Sequence, residues 1–301
     1  MRPSIFNDDN PFAQLALTIF TCLICLLLAF SIGTFLSSYI FDIHPQDIQL
    51  ELSNTKNIPL QKFFQAIQGV GFFVIPSIIL AIVFSGSAAN YLQTNRLPLG
   101  YFFIVVLLVM IFSIPVINLI ASLNSMIRLP NFMAGVQHSM DEASKTYQTI
   151  TESYMKVQTL KGLGINLLVV AIIPAVGEEL LFRGVIQRIF SNWTRSAHWG
   201  IIISAFIFSA FHVEFYGFFP RWILGIMFGY FLFWSGSMWL PIFGHFVNNA
   251  TAVITFYLIS KGTINEKMAD VGSKSDVLPL TILSLLLTVT GIYIIYKKRK
   301  T

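Results

Sequence analysis

The chain has 301 residues, of which 55% are hydrophobic and only 11% charged, whereas soluble domains carry about 25% charged residues. With a mean hydropathy of +0.72, most of it has lipid as its solvent, and a single integral membrane domain follows. The net charge of +5 comes largely from the run Lys297, Lys298, Arg299 and Lys300, which speaks to membrane orientation and argues against a nucleic-acid partner.

Taking about 20 apolar residues as one crossing, the sequence predicts helices near Ala13–Ser37, Phe64–Phe84, Tyr101–Ala121, Gly164–Ile186, Trp199–Phe215, Phe219–Trp234, Met238–Ile259 and Leu278–Tyr296. The fold class expected is therefore all-α, a polytopic membrane protein with about eight transmembrane helices. The first span follows Arg2 and lacks a small-x-small cleavage site, so it reads as a retained helix and not a signal peptide. Cys22 and Cys25 lie inside it with no second pair, which supports neither a disulfide framework nor a cysteine zinc site and leaves them as lipid-facing or packed small residues. The loop that follows sets Asp42, Asp47 and Glu51 against Lys56 and Lys62.

Residues 1–122 thus hold the N-terminal spans. Across 123–162 the pattern changes: Phe132, Met133, Val136 and Met140 recur at helical spacing among Asp141, Glu142, Lys145, Glu152 and Lys156. This predicts an amphipathic connector, either lying on the membrane or solvated. Residues 163–260 carry the next four spans, the fifth and sixth of which could be one bent unit around Gly217 and Pro220. Residues 261–301 supply an external loop, a last helix and a basic tail. Arg96, Arg188, Arg195 and that tail fall on one side if the number of spans is even, which predicts both termini in the cytoplasm of a multi-pass plasma-membrane protein.

Inside the fourth span, Glu178 and Glu179 stand side by side with Arg183 four residues on. One charge near the bilayer centre costs about 2.5–3.5 kcal/mol on insertion scales, so three together need a partner network or a water-filled pocket. Glu179 and Arg183 have the i, i+4 spacing in the favourable acid-before-base order, while Glu178 points about 100° away and is free for other work. The bland alternative has both glutamates neutralising Arg183, which leaves one carboxylate over to protonate, pair with a histidine or meet water. His212 in the fifth span, and His245 with Asn249 one turn later in the seventh, are polar in the same apolar setting. Each alone reads as a satisfied core residue or interhelical glue; a shared pocket would satisfy all of them at once. Counted from the predicted cytoplasmic ends, Glu178 lies roughly 12 Å deep, His245 roughly 10 Å and His212 roughly 20 Å, a mismatch that tilt must absorb.

No His-Glu-x-x-His, Gly-x-Ser-Gly or Gly-x-Gly-Asp occurs, so helix-borne zinc proteases, rhomboid-type serine proteases and intramembrane aspartyl proteases are unsupported. The residues present resemble the CPBP intramembrane proteases, the group of type II CAAX prenyl endopeptidases and abortive-infection or bacteriocin-immunity proteins. Their Glu-Glu-x-x-x-Arg motif corresponds to Glu178, Glu179 and Arg183, Phe-x-x-x-His to Phe208 and His212, and His-x-x-x-Asn to His245 and Asn249. The resemblance covers roughly Leu160–Ile259. It implies an intramembrane endopeptidase acting on a membrane-associated, CAAX-like peptide or protein, with water polarised by Glu178 and His212, an oxyanion held by His245 and Asn249, and Glu179 and Arg183 in support. No cofactor is expected, the alternative being zinc on Glu178, His212 and His245. A non-proteolytic scaffold or immunity protein is the second reading, and the absence of internal repeats weighs against a proton-coupled transporter.

Overall fold

The computed structural model describes residues 10–54, 57–269, 271–273 and 278–298; Arg2, Lys56, Arg299 and Lys300, on which part of the charge reading rested, lie outside the described residues. The main elements are α1 (Pro11–Ile40), α2 (Ile58–Ser85), α3 (Gly100–Ser125), α4 (Ala134–Met155), α5 (Leu160–Thr194), α6 (Ala197–Phe211), α7 (Phe218–Ser235), α8 (Trp239–Ser260) and α9 (Leu278–Lys297). No strand occurs among the described residues. Among the described residues seven helices are long and apolar enough to cross a membrane, and the remaining predicted span, α6, has only 15 residues. The molecule is an all-α polytopic membrane protein.

Helices α1 and α9 bury mostly small and polar residues and turn their large apolar side chains outward. In α1 the inward stripe is Gln14, Thr18, Cys22, Cys25, Ala29, Gly33 and Ser37, whereas Phe20, Leu27 and Phe35 are exposed. This inversion suits a lipid solvent, because small side chains let helices approach closely where burial of apolar area gains little. Both cysteines are free and packed on that stripe. The most enclosed helix is α5: half of its apolar window is buried, against 22% for α1, α3 and α9.

Two prolines shape the helices that frame the site. Proline cannot donate to the carbonyl four residues back and its ring crowds that carbonyl. Both α2 and α5 respond by widening one turn to π geometry just before Pro76 and Pro174, with Ile75 N–H bonding Val70 O and Ile173 N–H bonding Leu168 O. The Val170 carbonyl that Pro174 cannot serve finds a side chain instead: Asn249 Nδ2 on α8 donates to it at 3.2 Å. A second π turn, Leu180–Ile186, follows directly on the glutamates. Here α2 and α5 come into close contact. A Cβ at Gly177 would lie 2.8 Å from Phe73 Cβ and 3.3 Å from the Gly69 carbonyl, so only glycine fits beside Glu178.

Helices α6 and α7 form an antiparallel hairpin, not one bent unit: Ser209 Oγ donates to Phe218 O at 2.6 Å and Trp222 Nε1 to Ile202 O at 3.2 Å. The connection between them is fixed by Asn124 at the end of α3, whose Nδ2 donates to Phe215 O at 3.1 Å and whose Oδ1 accepts from Phe219 N–H at 3.0 Å. From the amphipathic α4, Asp141 accepts from the Tyr216 hydroxyl, which also takes Gln137 Nε2 at 2.6 Å and Arg128 Nη1 at 2.8 Å. Phe132 and Val136, just before and at the start of α4, stay exposed. Lys62, read from the sequence as a loop residue, instead lies on α2, because that helix begins at Ile58. It is buried, with Nζ donating to Asn166 Oδ1 at 2.6 Å and to Tyr154 O at 2.9 Å.

Candidate active site

The α-to-π junction of α5 turns Glu179 inward, where its side chain is wholly buried, and places Arg183 alongside at 1% exposure. Arg183 Nη1 donates to Glu179 Oε1 at 2.8 Å, and Nη2 to the Gly225 carbonyl of α7 at 3.1 Å. Glycine at 225 leaves room for that contact: a Cβ there would sit 3.1 Å from Nη2 and 3.0 Å from Ala205 Cβ. The guanidinium lies over the Phe208 ring at 4.5 Å and near Phe228 at 5.5 Å, a cation–π environment that substitutes for water. The expected ion pair is present, and it is shared.

His245 Nδ1 meets the same Glu179 oxygen at 2.8 Å. A carboxylate paired with arginine can only accept, so Nδ1 carries the hydrogen and Nε2 is turned away from Glu179. That nitrogen stands 3.8 Å from Glu178 Oε2. The ring is held flat against Phe228, centroids 5.2 Å apart at 13°, and edge-on to Phe208 at 5.9 Å. Glu178 keeps 13% side-chain exposure and receives no hydrogen bond from another described residue.

His212 caps the C-terminus of α6 and bonds through Nδ1 to the Phe208 carbonyl at 2.9 Å. Because a carbonyl only accepts, Nδ1 donates and Nε2 is left over. Its ring packs on the Phe208 ring at 5.0 Å, so one phenylalanine touches both histidines and Arg183. Asn249, a turn beyond His245, bridges to α5 through Val170 O and accepts from Asn248 Nδ2 at 3.1 Å. Glu178, Glu179, Arg183 and His245 thus form one cluster; His212 joins it through Phe208, and Asn249 lies on the α5–α8 seam, neither being hydrogen-bonded to the glutamates.

Residues 161–251 match the family model described as type II CAAX prenyl endopeptidase Rce1-like. Over this stretch the chain is similar to that family. The stretch spans less than a third of the chain, yet it contains all six residues above, all of α6 and α7, and parts of α5 and α8. The match is consistent with the CPBP family that the ordered motifs resemble, a family of CAAX-type intramembrane proteases. No curated protein and no solved structure matches the chain.

Other residues of the matched stretch complete the surroundings without having stood out in sequence. Arg221 Nη2 pairs with Glu214 Oε2 at 2.8 Å just after His212; two opposite charges seven apart in an apolar hairpin were the available signal. Gly225 and Phe228 carried none, since phenylalanine occurs 29 times in the chain. Two recesses flank the cluster. One, of about 300 Å³, is polar and reaches Arg183, Gln187 and Arg188; the buried Gln187 Oε1 has no hydrogen-bond partner. The other, of about 280 Å³, is an apolar slot between α3, α5 and α8 lined by Phe103, Ala175, Val176, Ile242, Phe243 and Phe246, which flank Glu178 and His245 in sequence.

Among the described residues no group of three His, Cys, Asp or Glu side chains is placed to hold a metal ion.

Proposed function

We propose that this protein is a membrane-embedded endopeptidase that hydrolyses a peptide bond of a membrane-associated protein or peptide by an activated water. The observation that carries the reading is the 3.8 Å gap between Glu178 Oε2 and His245 Nε2. It is too long for a direct hydrogen bond and suits one water held by both. Glu178, free of other hydrogen bonds and partly exposed, takes a proton as the water oxygen attacks the substrate carbonyl carbon, and later returns it to the leaving amine. His212 presents an unprotonated Nε2 to the same space and helps to polarise the water.

Oxyanion stabilisation falls to His245 and Asn249. The His245 ring is pre-aligned for this by its bond to Glu179 and by stacking on Phe228. Asn249 keeps one N–H beyond the one given to Val170 O. The apolar slot suits an apolar part of the substrate arriving from the bilayer, as a CAAX-like sequence would. In this reading both termini face the cytoplasm of a plasma-membrane protein, and α6 and α7, as a hairpin, keep the number of spans even.

The test compares membrane-protein N-termini in cells carrying the normal chain with those carrying Glu178→Gln, His212→Ala or His245→Ala. New N-termini should appear with the normal chain and fall by about 10²–10⁴ with Glu178→Gln, the usual weight of a general base. Cleavage undiminished in that variant would refute the mechanism.

A further inference from the structure

A larger recess, about 670 Å³, lies away from the glutamates between α3, α7 and α9. Helix α9 rests along α3 and barely touches α7, so a groove stays open between them. Its trunk is apolar: Val116 and Ile117 on α3, Ile226 and Met227 on α7, Val289 and Ile292 on α9.

Apart from Ser113 and the buried Thr288 hydroxyl in the trunk, polarity gathers at one end. There His198 Nδ1 and the Tyr230 hydroxyl are hydrogen-bonded at 2.8 Å, Tyr230 stacks on Trp234 with centroids 4.8 Å apart, and Trp234 meets Tyr296 edge-on at 5.5 Å. All four of these side chains line the groove. Aromatic residues with a polar tip mark the headgroup level of a bilayer. Immediately beyond Tyr296 come the exposed Lys297 and Lys298, and the sequence continues with Arg299 and Lys300. On α9 the groove runs from Tyr296 to Leu285, eleven residues or roughly 16 Å of helix, about half of a ~30 Å hydrocarbon core.

The geometry points to an anionic phospholipid as the occupant: one acyl chain in the trunk between α7 and α9, and the headgroup at His198, Tyr230, Lys297 and Lys298. A groove one leaflet deep, apolar at the midplane end, aromatic at the other and basic at its mouth has the polarity profile of such a lipid. Basic residues just outside a membrane helix attract acidic headgroups in the same way. The bound chain supports α7 from behind, since the opposite face of that helix supplies Gly225 O to Arg183 and Phe228 to His245. Nothing in the assignment requires peptide hydrolysis.

The experiment uses the full chain in nanodiscs of equal phosphatidylcholine and phosphatidylglycerol, released into mild detergent and weighed by native mass spectrometry. One phosphatidylglycerol per chain should be retained, several-fold over phosphatidylcholine. Met227→Trp and Val289→Trp, which fill the trunk from two different helices, should remove it while the far-ultraviolet helical signal is unchanged. Lys297→Gln with Lys298→Gln, on exposed positions that do not threaten folding, should keep a lipid but erase the headgroup preference. The proposal is overturned if the normal chain holds no lipid or shows no preference, if both tryptophan variants keep the lipid, if the lysine variant keeps the preference, or if a second copy of the chain replaces the lipid.

Discussion

Replacing Arg183 with methionine tests the central cluster most sharply. The guanidinium is buried, neutralises a Glu179 side chain with no solvent exposure, and donates to Gly225 O. Methionine fills similar space but leaves Glu179 without its counter-charge and takes the guanidinium donor from Glu179 and the Gly225 carbonyl. Removing one partner of a buried pair costs about 3–5 kcal/mol, or roughly two to three and a half decades in the unfolding equilibrium. The double variant Glu179→Gln with Arg183→Met removes both charges, while the Gln carbonyl still accepts from His245 Nδ1. Its cost should fall to about 1–3 kcal/mol, the weight of the polar groups still unpaired. Steric-trap or SDS unfolding in bicelles measures both. A single variant within about 1 kcal/mol of the normal chain, or a double variant no more stable than the single one, would show that Glu179 is not held as a charge.

Glu178→Gln should leave the unfolding midpoint essentially unchanged, because no protein hydrogen bond to that side chain is lost; a large destabilisation would mean that the residue is structural. Asn249→Ala strands the Val170 carbonyl that Pro174 cannot use, and should cost about 1–3 kcal/mol, read in the same unfolding assay, even where the Asn contributes nothing to turnover. Gly177→Val drives a side chain into Phe73 and the Gly69 carbonyl, and should destabilise by about 1–3 kcal/mol through overpacking; a neutral result would show that α2 and α5 can separate. On the exposed α4, the Tyr216 hydroxyl above all, then Gln137 and Arg128, hold the Asp141 carboxyl below its usual value. A depressed folded value means the contact is fully present above the ordinary carboxylate range and is lost only as pH falls through the lowered value. Hydrogen exchange at 213–217 should therefore stay slow from pH 7 down to about 4 and rise below it, whereas Asp141→Asn should abolish that acid step.

Much of this architecture could be read from runs of apolar residues, because lipid imposes one rule on every span and the rule is visible in composition. The Glu179–Arg183 pair was equally legible, since helical spacing fixes which side chains meet. What periodicity could not show was that His245 would share the Glu179 oxygen, a contact 66 residues apart in sequence that depends on how α8 crosses α5. The place of Lys62 was misread for a simpler reason: a helix that starts six residues early carries a charged side chain inward, and only the waiting Asn166 and Tyr154 carbonyls make that tolerable. The π turns before Pro76 and Pro174 were hidden too, although those prolines were their cause. A proline in an apolar span announces a disturbed ladder without saying whether it kinks, breaks or widens.

The shortness of α6 bears on the bilayer itself. Fifteen residues rise about 22 Å, short of the ~30 Å that lipid tails occupy. The turn carrying His212, Glu214 and Tyr216 therefore ends below the far headgroups, roofed by Asn124 and α4 and not by hydrocarbon. Lipids bordering the hairpin must shorten or splay to meet it, a hydrophobic mismatch that dents the membrane over the place where water is needed. The distance from bulk solvent to the histidine is then set by protein and not by acyl chains, so bilayer thickness becomes a control on the site: thicker membranes should strain the hairpin, and thinner ones should relax it.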